Sequence, residues 1–200
     1  MFDLASPLDQ RLVAAIHSGS GGGAAAGALR IGVRSGWQLV QLGAFGGRTD
    51  ALDAAVLGTI GTALPRSSSQ VLRHGQQQLY RIAADQYWIV TEDAALPAAL
   101  ERAIPAEAGS VTTLSQARVR IALEGNAVTA LLGKLVPVDL RPQSFAVGSF
   151  AQTGLHHVGA LLERLGPTSF ELFVLRTYAA STWDCLIDAA LPFGYEVFSA

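Results

Sequence analysis

Charged residues are scarce in this sequence of 200 residues. They make up 15% of the chain, and Lys134 is the only lysine beside thirteen arginines. Ordinary soluble domains have about 25% charged residues. A chain with so little charge has difficulty covering itself with polar groups, so one interpretation is that part of its surface is buried against a partner. The alternative is a compositional bias of the genome, because alanine is also abundant.

Other absences exclude whole classes of protein. The formal net charge of −2 gives no basic surface for nucleic acid. No apolar run approaches the roughly 20 residues that span a bilayer, and Met1-Phe2-Asp3-Leu4 lacks the basic start of a secretory signal. A single cysteine, Cys185, excludes an internal disulfide framework. We therefore expect a cytoplasmic protein that binds neither nucleic acid nor membrane.

Motifs of catalysis and of cofactor binding are also absent. There is no Gly-x-Ser-x-Gly elbow, no Ser-x-x-Lys pair and no phosphate-binding loop. Gly19-x-Gly21-x-x-Ala24 formally matches a dinucleotide fingerprint, but a helix is predicted before it (Leu8–Ile16) and a strand after it, which is the wrong context. Residues 1–28 are therefore predicted to be an N-terminal segment with a flexible Gly/Ala-rich loop.

A few polar residues remain as candidates for chemistry. His156-His157 invites a metal interpretation, but adjacent side chains on a strand point to opposite faces, and no spacing suggests a third ligand. Cys185 lies next to the apolar face of the last predicted helix and is interpreted as a small core residue. Asp139 lies between Pro137 and Pro142, where it either is presented by a rigid loop or, as we favour, bonds to the backbone of its own turn.

Hydrophobic periodicity and turn residues predict an α+β protein of two lobes, residues 29–110 and 111–200. The first lobe is predicted as a hairpin (Leu29–Val33 with Trp37–Leu42), a helix capped by Thr49 or Asp50 and ending near Leu64, a mostly irregular stretch (Arg66–Gln78), a second hairpin (Leu79–Ala83 with Gln86–Thr91) and a helix (Ala94–Ile104). The second is predicted as a strand (Arg118–Leu123), a short helix capped by Asn126 (Ala127–Gly133), a connector (Leu135–Gly148), three strands (Ser149–Leu155, Val158–Leu165, Phe170–Arg176) and a helix (Tyr178–Ala190).

The two lobes show a weak internal repeat. Arg81–Ile89 and Arg164–Leu172 share, at an offset of 83 residues, an arginine, aliphatic positions, a turn and an aromatic residue. Ala55–Gly58 likewise matches Ala130–Gly133. The pattern indicates two lobes of similar build.

The second lobe resembles the gamma subunit of heterotetrameric sarcosine oxidase. The resemblance is carried by Pro-x-Asp-Leu-x-Pro from Pro137, Phe-x-x-Gly-Ser-x-Ala-Gln-Thr from Phe145, Phe-Glu-Leu-x-Val-x-Arg from Phe170, and Trp183, in a fixed order. It implies an aminomethyltransferase-like fold with ferredoxin-like elements, related to the folate-binding glycine-cleavage T-protein group.

The resemblance also implies a function. Enzymes of this family demethylate sarcosine oxidatively to glycine, with hydrogen peroxide and either formaldehyde or methylenetetrahydrofolate. The larger alpha and beta subunits carry FAD, FMN, NAD and folate, and a small delta subunit completes the complex. The gamma subunit is then a non-catalytic part of the enzyme that supports assembly, and no catalytic, cofactor-binding or metal-binding residue is predicted in this chain.

Two alternatives stay open from the sequence: a free-standing folate or one-carbon binding protein, and the equivalent subunit of an oxidase for another N-methyl amine. Within the gamma-subunit interpretation, the proline-restricted connector is predicted to carry the subunit interface through Asp139, Arg141, Phe145 and Val147. The competing interpretation is that Phe145 folds back over its own lobe.

Overall fold

A computed structural model describes residues 6–9, 11–12, 16–17 and 29–199. The predicted Gly/Ala-rich loop and its dinucleotide-like fingerprint lie outside these residues, as do positions 10 and 13–15 of the predicted helix Leu8–Ile16. The described remainder of that helix is not helical, since residues 7–9 form a turn and Ile16 is in a strand. The helix prediction is wrong for this part.

In chain order, the strands of the described residues are β1 (Ile16–His17), β2 (Arg30–Val33), β3 (Gln38–Ala44), β4 (Leu72–His74), β5 (Gln77–Arg81), β6 (Gln86–Thr91), β7 (Gly109–Thr113), β8 (Arg118–Glu124), β9 (Phe150–Leu155), β10 (Val158–Gly166), β11 (Ser169–Leu175) and β12 (Tyr195–Ser199). The α-helices are α1 (Thr49–Ile60), α2 (Leu96–Ala103), α3 (Val128–Leu132) and α4 (Ala179–Ala190). The α+β class is confirmed. Across this described part, every helix is too short or too polar to cross a bilayer.

The chain divides into a discontinuous unit, Met1–Ser35 with Gln116–Ala200, and an inserted unit, Gly36–Ser115. These bounds differ from the two predicted lobes because β2 pairs with β8 and β12, whereas β7 pairs with β3. The predicted hairpin of Leu29–Val33 with Trp37–Leu42 is therefore wrong. Its two strands, β2 and β3, belong to different sheets.

The described strands of the discontinuous unit form one sheet in the order β1-β12-β2-β8-β11-β10-β9. Alternate residues of β8, including Ile121 and Leu123, are fully buried in a core with Trp183 and Leu186 of α4. This confirms the alternation read from the sequence. Asn126, in contrast, is not the cap of α3: the helix begins at Val128, whose N–H donates to the carbonyl of Gly125, so a backbone turn starts it.

A buried ion cluster lies on the opposite face of the same sheet. Glu171 on β11 is 1% exposed and accepts hydrogen bonds from Arg120 Nε at 2.6 Å and Arg34 Nε at 3.0 Å. Arg34 also reaches Glu124 at 3.3 Å. The guanidinium groups of Arg34 and Arg120 thus compensate the negative charge of buried Glu171. An unpaired carboxylate at this position would be strongly destabilising.

The inserted unit has a sheet in the order β4-β5-β6-β3-β7, with a core that includes Leu52 of α1 and Leu100 of α2. Three predictions need correction here. Arg48, not Thr49 or Asp50, precedes α1, and no side chain caps it; α1 ends at Ile60 because Gly61 takes a left-handed conformation, φ 78°. The stretch Arg66–Gln78 contains β4 and the start of β5. The sequence did not predict these strands because their residues are mostly polar and partly exposed, with β4 at the edge of the sheet.

The two sheets share one strand order. The order β4-β5-β6-β3-β7 corresponds to β9-β10-β11-β8-β12, and the larger sheet has β2 added between β8 and β12 and β1 added beside β12. The register corresponds too, because Arg81 is opposite Tyr87 and Arg164 is opposite Phe170. The topology thus supports the internal repeat, and α1 and α3 occupy equivalent places in it.

Candidate subunit-docking surface

The connector, residues 135–148, joins α3 to β9 without regular structure. Four apolar side chains along it are buried: Leu135, Val136, Leu140 and Phe145. Backbone bonds hold its end, since the Phe145 N–H donates to the Arg141 carbonyl at 2.8 Å and the Gly148 N–H to the Arg164 carbonyl at 2.8 Å. Gly148 has φ 84°, a conformation that other residues rarely take. The connector is therefore a defined loop.

Arg164, on β10, fixes the course of the connector. The side chain is 5% exposed. Its guanidinium donates to the connector carbonyls of Leu140 at 3.0 Å and Phe145 at 2.9 Å. It also donates to the carbonyl of Gly166, at the end of β10, at 3.2 Å and to that of Pro167, in the β10–β11 turn, at 2.9 Å. The same group lies 5.2 Å from the ring centre of Phe170. The sequence did not single out this role.

The signal that could have found Arg164 was the internal repeat. Its counterpart Arg81 donates to the Arg66 carbonyl, 15 residues earlier, and to the Ala84 carbonyl in the following turn, each at 2.8 Å. Each arginine thus bonds to the carbonyl of the residue three positions later, in a turn, and to a carbonyl in a loop at least 15 residues earlier. The repeated arginine marks a structural device common to both units.

Phe145 lies in the core, contrary to the prediction that it anchors a partner. It is 5% exposed, and its ring is stacked on that of Phe170 with centroids 6.5 Å apart. Burying this side chain against β11 removes its apolar surface from water within the chain itself. The interpretation that Phe145 folds back over its own lobe is the one that the structure supports.

Asp139 and Arg141 form an exposed ion pair within one turn. Arg141 Nε lies 2.8 and 3.0 Å from the two carboxylate oxygens, and the Arg141 N–H donates to Oδ1 at 3.1 Å. Hydrogen bonds from the Arg141 side chain, from Ser144 and from that N–H hold the pKa of Asp139 well below its usual range. Asp139 therefore has the turn role that we favoured for it.

Of the two apolar residues predicted at the interface, Val147 is the exposed one, with 54% of its surface accessible. Its neighbour Ala146 is exposed as well. We call Asp139, Arg141 and Val147 the docking surface. It is the predicted interface without Phe145, which is left out because it is buried.

The two histidines and the cysteine stand apart from this surface. His156 and His157 lie in the β9–β10 turn with ring centroids 5.9 Å apart. Within the described residues, no three potential metal ligands come together. Burial, and secondarily the charge of Asp188, raises the pKa of the Cys185 thiol, so this cysteine is a protonated, half-buried side chain at neutral pH.

Similar sequences are found among characterised proteins. Residues 76–200 match the family described as GCVT N-terminal domain. Sarcosine oxidase subunit gamma of Corynebacterium sp. (strain P-1) is 33% identical over 146 residues, which cover 72% of this chain and 71% of the relative. The protein of the same name from Arthrobacter sp. is 32% identical over 143 residues, 70% of each chain.

Similar folds are found among solved structures. A chain of heterotetrameric sarcosine oxidase from Corynebacterium sp. U-96, in complex with pyrrole 2-carboxylate, matches with a TM-score of 0.77 and 28% identity, covering 86% of this chain and 88% of that one. Glycine cleavage system aminomethyltransferase T from Bartonella henselae matches with a TM-score of 0.57 and 19% identity, covering 80% and 46%. The second likeness is one of fold alone.

Proposed function

This chain belongs to the sarcosine oxidase gamma-subunit family, and on that premise we propose that it is the gamma subunit of a heterotetrameric sarcosine oxidase. The observation that carries the proposal is the structural agreement with a chain of such an enzyme over nearly the whole length of both. A free-standing folate or one-carbon binding protein is less well supported, because the likeness to the aminomethyltransferase, at 19% identity, is one of fold alone.

Its role in the complex is assembly and support. The reaction, oxidative demethylation of sarcosine to glycine with hydrogen peroxide and formaldehyde or methylenetetrahydrofolate, takes place in larger alpha and beta subunits that hold FAD, FMN, NAD and folate, beside a small delta subunit.

The docking surface carries contact with a partner subunit in this proposal. Buried Arg164 fixes the loop before binding, so little conformational entropy is lost in the complex. Val147 offers an exposed apolar contact, and Arg141 offers a guanidinium, a group that is enriched at interface hot spots.

Co-expression with alpha, beta and delta subunits of a heterotetrameric sarcosine oxidase tests the proposed function. We expect a stoichiometric complex that oxidises sarcosine and produces hydrogen peroxide, with this chain required for its assembly. Another N-methyl amine turned over in preference to sarcosine would contradict the substrate, and failure to co-purify would contradict the subunit role.

The docking surface is tested separately by the pair Arg141→Ala and Val147→Lys in one variant. Retention by the partner subunits should fall about tenfold, which corresponds to about 1.4 kcal/mol, while the melting temperature of the chain stays within about 3 °C of the wild type. Leu57→Lys is the matched control, because Leu57 is 49% exposed on α1 and a lysine in the last helical turn is well tolerated. Retention of the double variant equal to that of the control would exclude this surface.

A further inference from the structure

The strand β7 forms an open edge of the sheet in the inserted unit. It pairs with β3 on one side, and no strand of the described residues lies on its other side. Ser110, Thr112 and Thr113 are exposed, whereas Val111 packs against the core of the unit. The edge shares no residue with the docking surface.

The hydrogen-bond pattern shows which backbone groups of β7 point away from β3. The Leu114 N–H donates to the Leu39 carbonyl at 2.7 Å, and the register between the two strands is continuous from there. In an antiparallel ladder every second residue bonds to the neighbouring strand, so Thr112 also bonds to β3. Val111 and Thr113 therefore direct their N–H and carbonyl groups outward, where no strand of the described chain meets them.

The two edges of this sheet differ in how they are protected against pairing. β4, at the other edge, has three residues and ends in the exposed pair Arg73-His74. Short length and charged side chains are devices by which proteins block pairing at a sheet edge. β7 has five residues, Gly109–Thr113, with no charge and no proline, and its register with β3 has no shift. The β7 edge therefore lacks the features that keep another strand away.

The internal repeat shows what kind of element fits beside β7. In the strand order that the two sheets share, β12 is the counterpart of β7, and β1 lies beside β12 at the end of the larger sheet. β1 and β12 are antiparallel, with Ile16 opposite Glu196 and His17 opposite Tyr195. The equivalent place beside β7 holds no strand of the described residues. The repeat thus predicts an antiparallel strand at this place.

We propose that an extended segment of a partner subunit adds to the outer edge of β7 as an antiparallel strand. The N–H and carbonyl groups of Val111 and Thr113 hold it through backbone hydrogen bonds, which is the mode of binding called β-augmentation. Neither β7 nor β3 contains a charged residue, so the segment that fits is uncharged. Its residue opposite Val111 is apolar, because that face of the sheet packs against the core of the unit. The inference rests on the proposed function, since the segment belongs to a subunit of that complex.

Thr113→Pro tests the proposal, because it removes an outward N–H group and places a ring at the edge while the bonds between β7 and β3 stay intact. Proline is tolerated in an edge strand where its nitrogen faces outward. Thr113→Val is the matched control, since it keeps the N–H group and the branched shape. Retention of the proline variant by co-expressed alpha, beta and delta subunits should be about tenfold lower than that of the valine variant. Both variants should melt within about 3 °C of the wild-type chain.

Hydrogen–deuterium exchange of the wild-type complex, resolved by residue, tests the same pairing without a substitution. The N–H groups of Val111 and Thr113 should exchange as slowly as those of Ser110 and Thr112, which bond to β3. Fast exchange of the first pair beside slow exchange of the second would show that the edge stays open in the complex, and would overturn the proposal.

Other occupants of the edge give different results, each of which would also overturn the proposal. A melting temperature that falls in Thr113→Pro but not in Thr113→Val would show that the edge serves the fold of this chain itself. A wild-type dimer that Thr113→Pro abolishes would assign the edge to a second copy. Equal retention of the two variants, while the wild-type chain co-purifies with its partners, would contradict the edge pairing alone. Failure of the wild-type chain to co-purify would contradict the proposed function and the edge pairing together.

Discussion

Arg164 is the residue on which the connector depends most. One buried guanidinium holds carbonyls of the connector and of the β10–β11 turn together. An arginine can do this because its planar fork offers five N–H donors. From the sequence, the repeat flagged the position, but which carbonyls it meets depends on loop paths that only the folded chain defines.

Arg164→Met is therefore expected to destabilise the chain by about 2–4 kcal/mol, because several buried carbonyls lose their donor at once. Arg164→Lys should recover little of this, since a point-like ammonium cannot reproduce the fork. Urea unfolding followed by circular dichroism measures both. Arg102→Met is the control: this exposed arginine of α2 reaches one carbonyl, that of Ala98, and its loss should change stability by less than about 0.5 kcal/mol.

Asp139 should remain ionised in acid. The pKa of its carboxyl is depressed in the folded chain from an unfolded value of about 3.9. The interaction therefore stabilises the turn fully above that pH, and the stabilisation is lost as the pH falls toward the folded pKa. A carboxyl ¹³C titration should give a midpoint below 3.9 for Asp139, and Arg141→Ala should move it upward. A midpoint that Arg141→Ala leaves unchanged would contradict the assigned cause.

Phe145 shows a limit of sequence reading at this scale. A phenylalanine in a proline-bounded loop suits a core as well as an interface, and the pattern around it is the same in both cases. What decides is Phe170, 25 positions later, which provides the ring for it to stack on. The hydrophobic pattern correctly indicated that Phe145 is removed from water. It did not indicate whether Phe145 packs on its own chain or on a partner.

At the scale of elements, the strands with clear alternation were predicted within a few residues, as β8 to β11 show. Strand pairing was less accessible, because it joins distant segments. β2 precedes β3 in sequence by only a short turn, yet β2 pairs with β8 and β12 and not with β3. Helix starts were missed where backbone turns replace side-chain caps, as before α3.

Close packing of β2 against β12 gives an element-scale prediction. A Cβ at Gly32 would lie 2.5 Å from the Phe198 carbonyl oxygen, whereas a Cβ at Gly159 on β10 would meet nothing within 4 Å. Gly32→Ala should therefore destabilise the chain by about 1–3 kcal/mol, and Gly159→Ala should be neutral or stabilising by up to about 1 kcal/mol. Thermal unfolding of the two variants side by side checks this, and equal effects would contradict the packing argument.

At the scale of the molecule, the α+β class and the repeated build followed from periodicity and turns, and the shared strand order of the two sheets supports them. The family followed instead from an ordered set of residues in the second half, which no physical argument from composition would have supplied. Neither the periodicity nor the family resemblance predicted that Gly36–Ser115 is inserted into the other unit. The insertion follows from strand pairing between the two ends of the chain, such as β2 with β12.

The isolated chain should behave poorly in solution. Charged residues make up 15% of it, and large apolar side chains, including Val147 at 54% and Leu191 at 50%, are exposed. Such surface favours association when no partner covers it. We expect the chain expressed alone to aggregate, and the chain co-expressed with its partner subunits to elute as one monodisperse complex in size-exclusion chromatography.

Two further measurements separate an exposed interface from a failure to fold. Val147→Lys combined with Leu191→Lys should raise the solubility of the isolated chain without lowering its melting temperature, because both positions are on the surface. When the complex is separated into subunits, flavin absorbance should stay with the partners and leave this chain colourless. A stable, monodisperse monomer of the wild-type chain would show that its apolar surface needs no cover, and a stoichiometric flavin on the separated chain would show that its part in the oxidase is not that of support.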